Sequence, residues 1–163
     1  MKILVVSDTH RYQGNLYELF EELDDIDYCI HCGDVEGCED EIESVCEVPF
    51  VAVAGNNDFC SFLPRERVLE FLGHKIFVTH GHTYSVSSGL WRLIDEAKDR
   101  GCDVALFGHT HRPTYSTDGE LQVLNPGSIS LPRQASGNPT YAILELEEGQ
   151  KAKIELFEMK DNL

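Results

Sequence analysis

Short apolar runs recur along the chain, and two periodicities alternate among them. Residues 2–7 (KILVVS), 27–32 (DYCIHC) and 50–54 (FVAVA) are compact runs that read as buried strands. Between the first two, residues 13–23 set Leu16, Leu19, Phe20 and Leu23 on one helical stripe. Residues 39–46 read as a short acidic helix. Residues 67–72 and 75–79 flank Gly73-His74, which predicts a hairpin turn at that pair. A helix is expected over 90–100, ended by Gly101, and a strand over 103–107. Strand-like segments lie farther on at 113–116, 121–124, 140–146 and 152–157, with turns at Asp118-Gly119 and Glu148-Gly149.

Strand and helix therefore alternate in the first half, while the last third is mainly strand. Helix-linked strands predict a largely parallel α/β sheet. The late hairpins predict a second, more antiparallel sheet packed on it. With no repeat, linker or boundary in view, one domain over residues 1–163 is expected.

The polar residues at the ends of these strands change the picture from architecture to chemistry. The first run is followed by Asp8-Thr9-His10 and the second by Gly33-Asp34. The third precedes Gly55-Asn56-Asn57-Asp58, the run 75–79 precedes His80-Gly81-His82, and the run 103–107 precedes Gly108-His109-Thr110-His111. In an open α/β sheet, ligands bind at the carboxyl ends of the strands. Neighbouring strands would bring these groups into one crevice, with Gly allowing sharp exits and close backbone approach. Taken singly, an Asp or His after a strand is an ordinary turn or cap residue. Repetition at the same place in successive strands is what points to a site. Carboxylate, imidazole and amide oxygen suit Zn, Mn, Fe or Ni, and so many donors exceed what one ion needs. His31, inside a strand, and His74, in the expected turn, read as structural.

Charge and cysteine usage narrow the partners. The 13 basic against 29 acidic side chains leave a formal charge of −16. That argues against sequence-independent binding to duplex nucleic acid, which relies on Lys and Arg at phosphates, and against an anionic membrane. Any attraction for an anion must be built locally, as bound divalent cations would do. Cys29 and Cys32 form a C-x-x-C, but residues three apart on a strand face opposite sides, so reduced structural thiols are expected. No apolar run approaches the ~20 residues of a membrane helix, and the start lacks the pattern of a signal peptide. A soluble, cytoplasmic protein is expected.

These five polar motifs, in their order and spacing, resemble the motif set of the calcineurin-like metallophosphoesterases, in particular their small bacterial and archaeal phosphodiesterases. The resemblance spans about residues 1–145. It implies a four-layer α-β-β-α sandwich with two mixed β-sheets. It also implies a ligand set: Asp8, His10 and His111 for one metal, Asn56, His80 and His109 for a second, and Asp34 bridging them. The cofactor implied is two divalent ions, Mn²⁺ foremost, with Ni²⁺, Zn²⁺, Fe²⁺ or Mg²⁺ compatible. The reaction implied is attack of a metal-bridging hydroxide on a small organic or nucleotide phosphate diester. The alternatives are a phosphomonoesterase or, in a different class, a protein-binding scaffold that shares the fold. Scaffolds of this kind have lost metal-ligand side chains, and here every expected ligand is present.

One departure concerns the leaving group. Many larger relatives carry a His after the Asn ligand; here the position is Asn57, which cannot act as a general acid. His82 could take that role or simply line the pocket. The Asn56 amide N–H could meet substrate or a carboxylate, for which Asp58 is the candidate. Asn125-Pro126-Gly127-Ser128 resembles a rim loop of the family, and Arg133 beyond it is a candidate phosphate clamp. Apolar Phe59, Phe62 and Leu63 after a ligand loop, with the resemblance, lead us to expect a homodimer or larger assembly.

Overall fold

The computed structural model describes residues 1–159. The elements run β1 (Lys2–Val6), α1 (Gly14–Glu22), β2 (Tyr28–His31), α2 (Glu39–Val45), β3 (Phe50–Ala52), β4 (Glu66–Phe71), β5 (His74–Thr79), a 3₁₀ turn (His82–Tyr84), α3 (Trp91–Asp99), β6 (Val104–Leu106), β7 (Thr114–Asp118), β8 (Leu121–Asn125), β9 (Thr140–Glu145) and β10 (Lys153–Glu158). Two five-stranded sheets result, ordered β10-β9-β1-β2-β3 and β4-β5-β6-β8-β7.

The layering comes from the strict alternation of side chains along each strand. In β1, Ile3 and Val5 face the second sheet, where they meet Ile76, Val78, Val104 and Leu106. Leu4 and Val6 face outward onto Leu16 and Leu19 of α1 and Ile42 of α2. In the second sheet, Phe77, Ala105 and Val123 turn the other way onto Leu93 and Ala97 of α3. Both sheets are thus covered on both faces, which is why β1 and β6 are apolar at successive positions. The arrangement is helix–sheet–sheet–helix. The C-x-x-C obeys the same rule: Cys32 faces the inter-sheet core and Cys29 the helices.

Two expectations need correction. The final hairpin, β9–β10, does not build the second sheet. It joins the first, where β9 pairs antiparallel with β1 and β10 with β9. Buried β1 needs a neighbour on each edge, and β9, with Thr140, Ala142 and Leu144 buried, supplies the second one. The second sheet is itself mixed, with β5, β6 and β8 parallel and antiparallel β4 and β7 at its edges. His74 is also not in the turn. It is the first residue of β5, buried, with Nδ1 2.5 Å from Asp103 Oδ2. The two-residue turn is Leu72-Gly73, both at positive φ (51° and 83°), which matches the twist of the flanking strands.

The carboxyl ends of β1, β2, β5 and β6 meet at one end of the sandwich. Backbone bonds join their loops: Asp8 N–H to Gly33 O (3.0 Å), His10 N–H to Asp34 O (3.0 Å) and Gly108 N–H to His80 O (3.0 Å). His31 fastens the first two loops. Its Nδ1 accepts from Gly33 N–H (3.1 Å), so Nε2 carries the proton and donates to Thr9 Oγ1 (3.1 Å). Burial pushes its pKa down from 6.5 to about 4, in agreement with a ring that must accept at Nδ1. The unfolded chain takes up this proton near pH 6.5 and the folded chain does not until about 4. Stability from this group is therefore complete above pH 6.5 and is lost as pH falls toward 4, by on the order of 3 kcal/mol. Chemical denaturation of wild type and His31→Gln at about pH 7 and about pH 4.5 should show the wild-type advantage shrinking at the lower pH.

Candidate metal centre

The loops after β1, β2 and β6 leave their strands abruptly. Asp8, His10, Asp34, His109 and His111 all adopt left-handed backbone, with φ of 56°, 46°, 59°, 70° and 57°. For residues with a Cβ this conformation costs roughly 1–2 kcal/mol each, so the strain is concentrated where the polar donors are. Close approach fixes two glycines. A Cβ on Gly55 would lie 2.1 Å from Asp34 Oδ1, and one on Gly108 would lie 2.0 Å from Ser7 Oγ and 2.8 Å from Asp8 Oδ2.

The donors converge. His111 Nε2 lies 3.1 Å from His10 Nε2 and 3.2 Å from Asp8 Oδ1, and His10 Nε2 is 3.7 Å from that same oxygen. On the other side, His80 Nε2 lies 3.4 Å from Asp34 Oδ2, 3.8 Å from Asp8 Oδ1 and 3.1 Å from Asn56 Oδ1. His109 Nδ1 is 3.0 Å from Asn56 Oδ1. Asp34 Oδ2 lies between the groups, 3.6 Å from His10 Nε2. These separations are those of ligand atoms sharing an ion at ~2.0–2.2 Å. The triads Asp8–His10–His111 and Asp8–Asp34–His80 could each hold a cation.

Surrounding groups aim these donors. His10 Nδ1 faces Glu36 Oε1 (2.6 Å), His80 Nδ1 donates to Cys32 O (2.7 Å), and His111 Nδ1 donates to Leu131 O (2.7 Å). Each leaves Nε2 toward the centre, the usual way a ligating imidazole is oriented. Asp8 Oδ2 accepts from Ser7 Oγ (2.7 Å) and His109 N–H (3.1 Å), while Ser128 Oγ donates to the Asp8 carbonyl (2.8 Å). Asp8 Oδ1 is buried and has no hydrogen-bond partner. A bare, buried carboxylate oxygen facing imidazole nitrogens fits a cation.

Electrostatics agree. Burial alone would favour protonated Asp8, but the neighbouring imidazoles of His10, His111 and His80 outweigh it and hold the carboxyl far below its ordinary range. Burial likewise opposes ionisation of Asp34, yet His80 and Asn57 bring its pKa down to about 2. Asp8, and secondarily Glu36, raise His10 to about 9 in spite of desolvation. The site is thus built around two ionised carboxylates.

The remaining predicted residues fall into distinct places. Asn57 donates twice to Asp34, from its backbone N–H (2.9 Å) and its Nδ2 (2.8 Å). Asp58 does not meet the Asn56 amide as expected. Its carboxylate instead accepts the backbone N–H groups of Asp34 (2.8 Å), Glu36 (2.6 Å) and Gly55 (2.6 Å) and so fixes the β2 and β3 loops together. His82 stands beside the cluster, its ring 5.5 Å from that of His80, with Nδ1 buried and unpartnered. Arg133 is exposed in a groove that also includes His109. Phe59 and Phe62 are exposed, and Leu63 packs beside the helix-side core. Sequence reading missed Glu36. Its position two residues after Asp34 was the only available signal.

The calcineurin-like phosphoesterase superfamily domain matches residues 1–149. A probable metallophosphoesterase of Bacillus subtilis is 33% identical over 99% of this chain and 94% of its own length. A phosphodiesterase of Methanocaldococcus jannaschii is 30% identical over 96% of this chain and 99% of its own. The crystal structure of a predicted phosphoesterase from Streptococcus pneumoniae superposes with a TM-score of 0.84 at 29% identity, covering 96% of this chain and 88% of that one. The family match over nearly the whole chain, with the two-sheet sandwich, shows that the chain belongs to the calcineurin-like phosphoesterase superfamily.

Proposed function

We propose that this chain is a phosphodiesterase that hydrolyses small organic or nucleotide diesters at a centre of two divalent metal ions. The observation that carries the reading is the unpartnered, buried Oδ1 of Asp8, surrounded by imidazoles whose other nitrogens are already engaged. Leaving such an oxygen without a partner is costly, and a bound cation removes that cost. In this reading Asp8, His10 and His111 hold one ion, Asn56, His80 and His109 hold the other, and Asp34 serves both. Mn²⁺ is the foremost candidate among the ions that this nitrogen and oxygen set accepts. When bound, such ions supply Lewis acidity and a water acidic enough to give hydroxide near neutral pH.

The chain's own groups define the rest. Asn56 offers its oxygen to the centre and keeps its amide hydrogens for a phosphoryl oxygen. Asn57 spends its backbone N–H and one amide hydrogen on Asp34, and an amide cannot protonate a leaving group. Burial, with His80 and His109 nearby, lowers the His82 pKa, which leaves less of the protonated ring available to give up a proton. A site without a strong acid favours esters whose leaving oxygen needs none. A relative named as a phosphodiesterase supports a diester as substrate.

Protein reloaded with saturating Mn²⁺ should hold two ions per chain by elemental analysis. Asp34→Ala should weaken binding at both sites, and His10→Ala should retain the second ion better than the first. A wild-type stoichiometry fixed at one overturns the dinuclear reading. Without metal His10 keeps its proton up to about pH 9, so binding must displace it and Mn²⁺ affinity should rise with pH through the neutral range.

Glu36→Gln tests the orientation of His10. Loss of the carboxylate behind the ring should weaken Mn²⁺ binding roughly 10–100-fold, read by competition with a chelating dye. Unchanged affinity removes Glu36 from the site.

The absence of an acid predicts a steep dependence of log kcat on leaving-group pKa across a series of aryl and alkyl diesters, since acid assistance is typically worth ~10²–10⁴ in rate. Asn57→His should flatten it. A shallow wild-type slope shows that an acid is present, and His82→Ala would then identify it by steepening the slope.

A further inference from the structure

We propose that the groove beside His109 is an anion subsite in which Arg112 and Arg133 hold a second negatively charged group of the substrate, an additional phosphate on one arm of the diester. The proposal rests on the diesterase reading above and names the substrate class more closely.

The groove has a volume of ≈ 380 Å³, and its lining brings His109 together with Thr110, Arg112 and Arg133. His109 is one of the donors at the centre, so a molecule reacting there extends directly into this groove. Both arginines are tied to the same donor loop. Arg112 follows His111 in sequence, and Arg133 N–H donates to the His111 carbonyl (3.0 Å). Behind them, Asn125 Nδ2 bonds Gly108 O (2.8 Å) and Thr110 Oγ1 (2.9 Å), and Thr110 Oγ1 accepts Arg112 N–H (3.3 Å). The two side chains are thus launched from backbone fixed to the centre, the preorganisation an anion site needs.

Both guanidinium groups also lack partners among the described residues, in a chain where acidic side chains outnumber basic ones 29 to 13. Several cations elsewhere are taken up: Arg100 pairs with Glu66 and Glu96, Lys75 with Glu70, Lys153 with Glu145 and Glu155. Among the described residues, no ion pair and no side-chain hydrogen bond involves the guanidinium of Arg112 or Arg133. Two like charges share one groove, and a phosphate between them would satisfy both through charge-assisted bonds. In a chain of charge −16 this is how local attraction for a polyanion is built against the overall field.

On the Asn56 side of the centre a cleft of ≈ 410 Å³ joins Asn56 and His82 to Asp58, Ser61 and Arg65 as well as to Phe59 and Leu63. A substrate lying across the Asn56–His109 contact therefore meets two arginines in the groove beside His109, and a single arginine together with Asp58 in the other cleft. That asymmetry places the additional phosphate in the groove beside His109.

The test compares thymidine 5′-(p-nitrophenyl) phosphate with and without a 3′-phosphate, on Mn²⁺-loaded protein. Wild type should prefer the 3′-phosphorylated ester in kcat/KM, chiefly through KM. Arg112→Ala and Arg133→Ala should each reduce that preference roughly tenfold, and the double variant should bring it near one. Calorimetry with thymidine 3′,5′-bisphosphate and thymidine 5′-phosphate reads the subsite without turnover, and the bisphosphate should bind more tightly to wild type only. Equal affinity of the two nucleotides for wild type, or a preference unchanged in the double variant, overturns the subsite. Failure to hydrolyse either ester defeats the diesterase reading instead, and the calorimetric comparison still decides the subsite.

Discussion

A buried carboxylate oxygen without a hydrogen-bond partner is the constraint around which this molecule is arranged. Asp8 sits just beyond a strand buried on both faces, with one oxygen engaged by Ser7 and the His109 backbone and the other facing only imidazoles. Its ionised state is favoured by the surrounding histidines against the penalty of burial. The fold can keep such a group because β1 is enclosed by β9 and β2 along its edges, by two helices on one face and by the second sheet on the other. Those neighbours leave Asp8 no route to water.

The same constraint accounts for the shape of the loops. Five donor residues hold left-handed backbone, a conformation their side chains disfavour. Short connections keep neighbouring donor atoms 3.0–3.8 Å apart, and a relaxed loop would spread them. Asp58 and His31 stabilise the strained segments, one by accepting three backbone N–H groups and the other by bridging Gly33 and Thr9. Neither needs to touch the reacting atoms. Cations at the centre would remove the remaining penalty, so metal binding and loop order are expected to be coupled.

Function depends on how charge is distributed over the chain. The surface is strongly acidic, while the end of the sandwich that carries the donors also carries Arg65, Arg112 and Arg133 in its two adjoining clefts. Three basic side chains thus stand at one end of a chain whose acidic groups outnumber its basic ones 29 to 13. Among the described residues, no helix is long and apolar enough to cross a membrane.

Much of this was legible in the sequence because it is local. Two-residue alternation set which side chains of β1 face each core, and the donor residues stood directly after apolar runs, where a parallel strand must end. The roles of Gly55 and Gly108 were foreseeable from their position ahead of those donors. Tertiary structure alone decided the rest, because it depends on partners far apart along the chain. The β9–β10 hairpin has the same alternation whichever sheet it joins, and only the open edge of β1 assigns it. His74 moved from turn to strand because the twist of β4 and β5 selects Leu72-Gly73 for the positive-φ pair. Asp58 was read beside Asn56, its near neighbour, but the loop after β2 supplied stronger partners from 22 and 24 residues away. Glu36 behind His10, and Arg112 sharing a groove with Arg133, came together only when separate strands were brought side by side. Sequence periodicity specifies which face a residue takes, and strand pairing specifies whom it meets there.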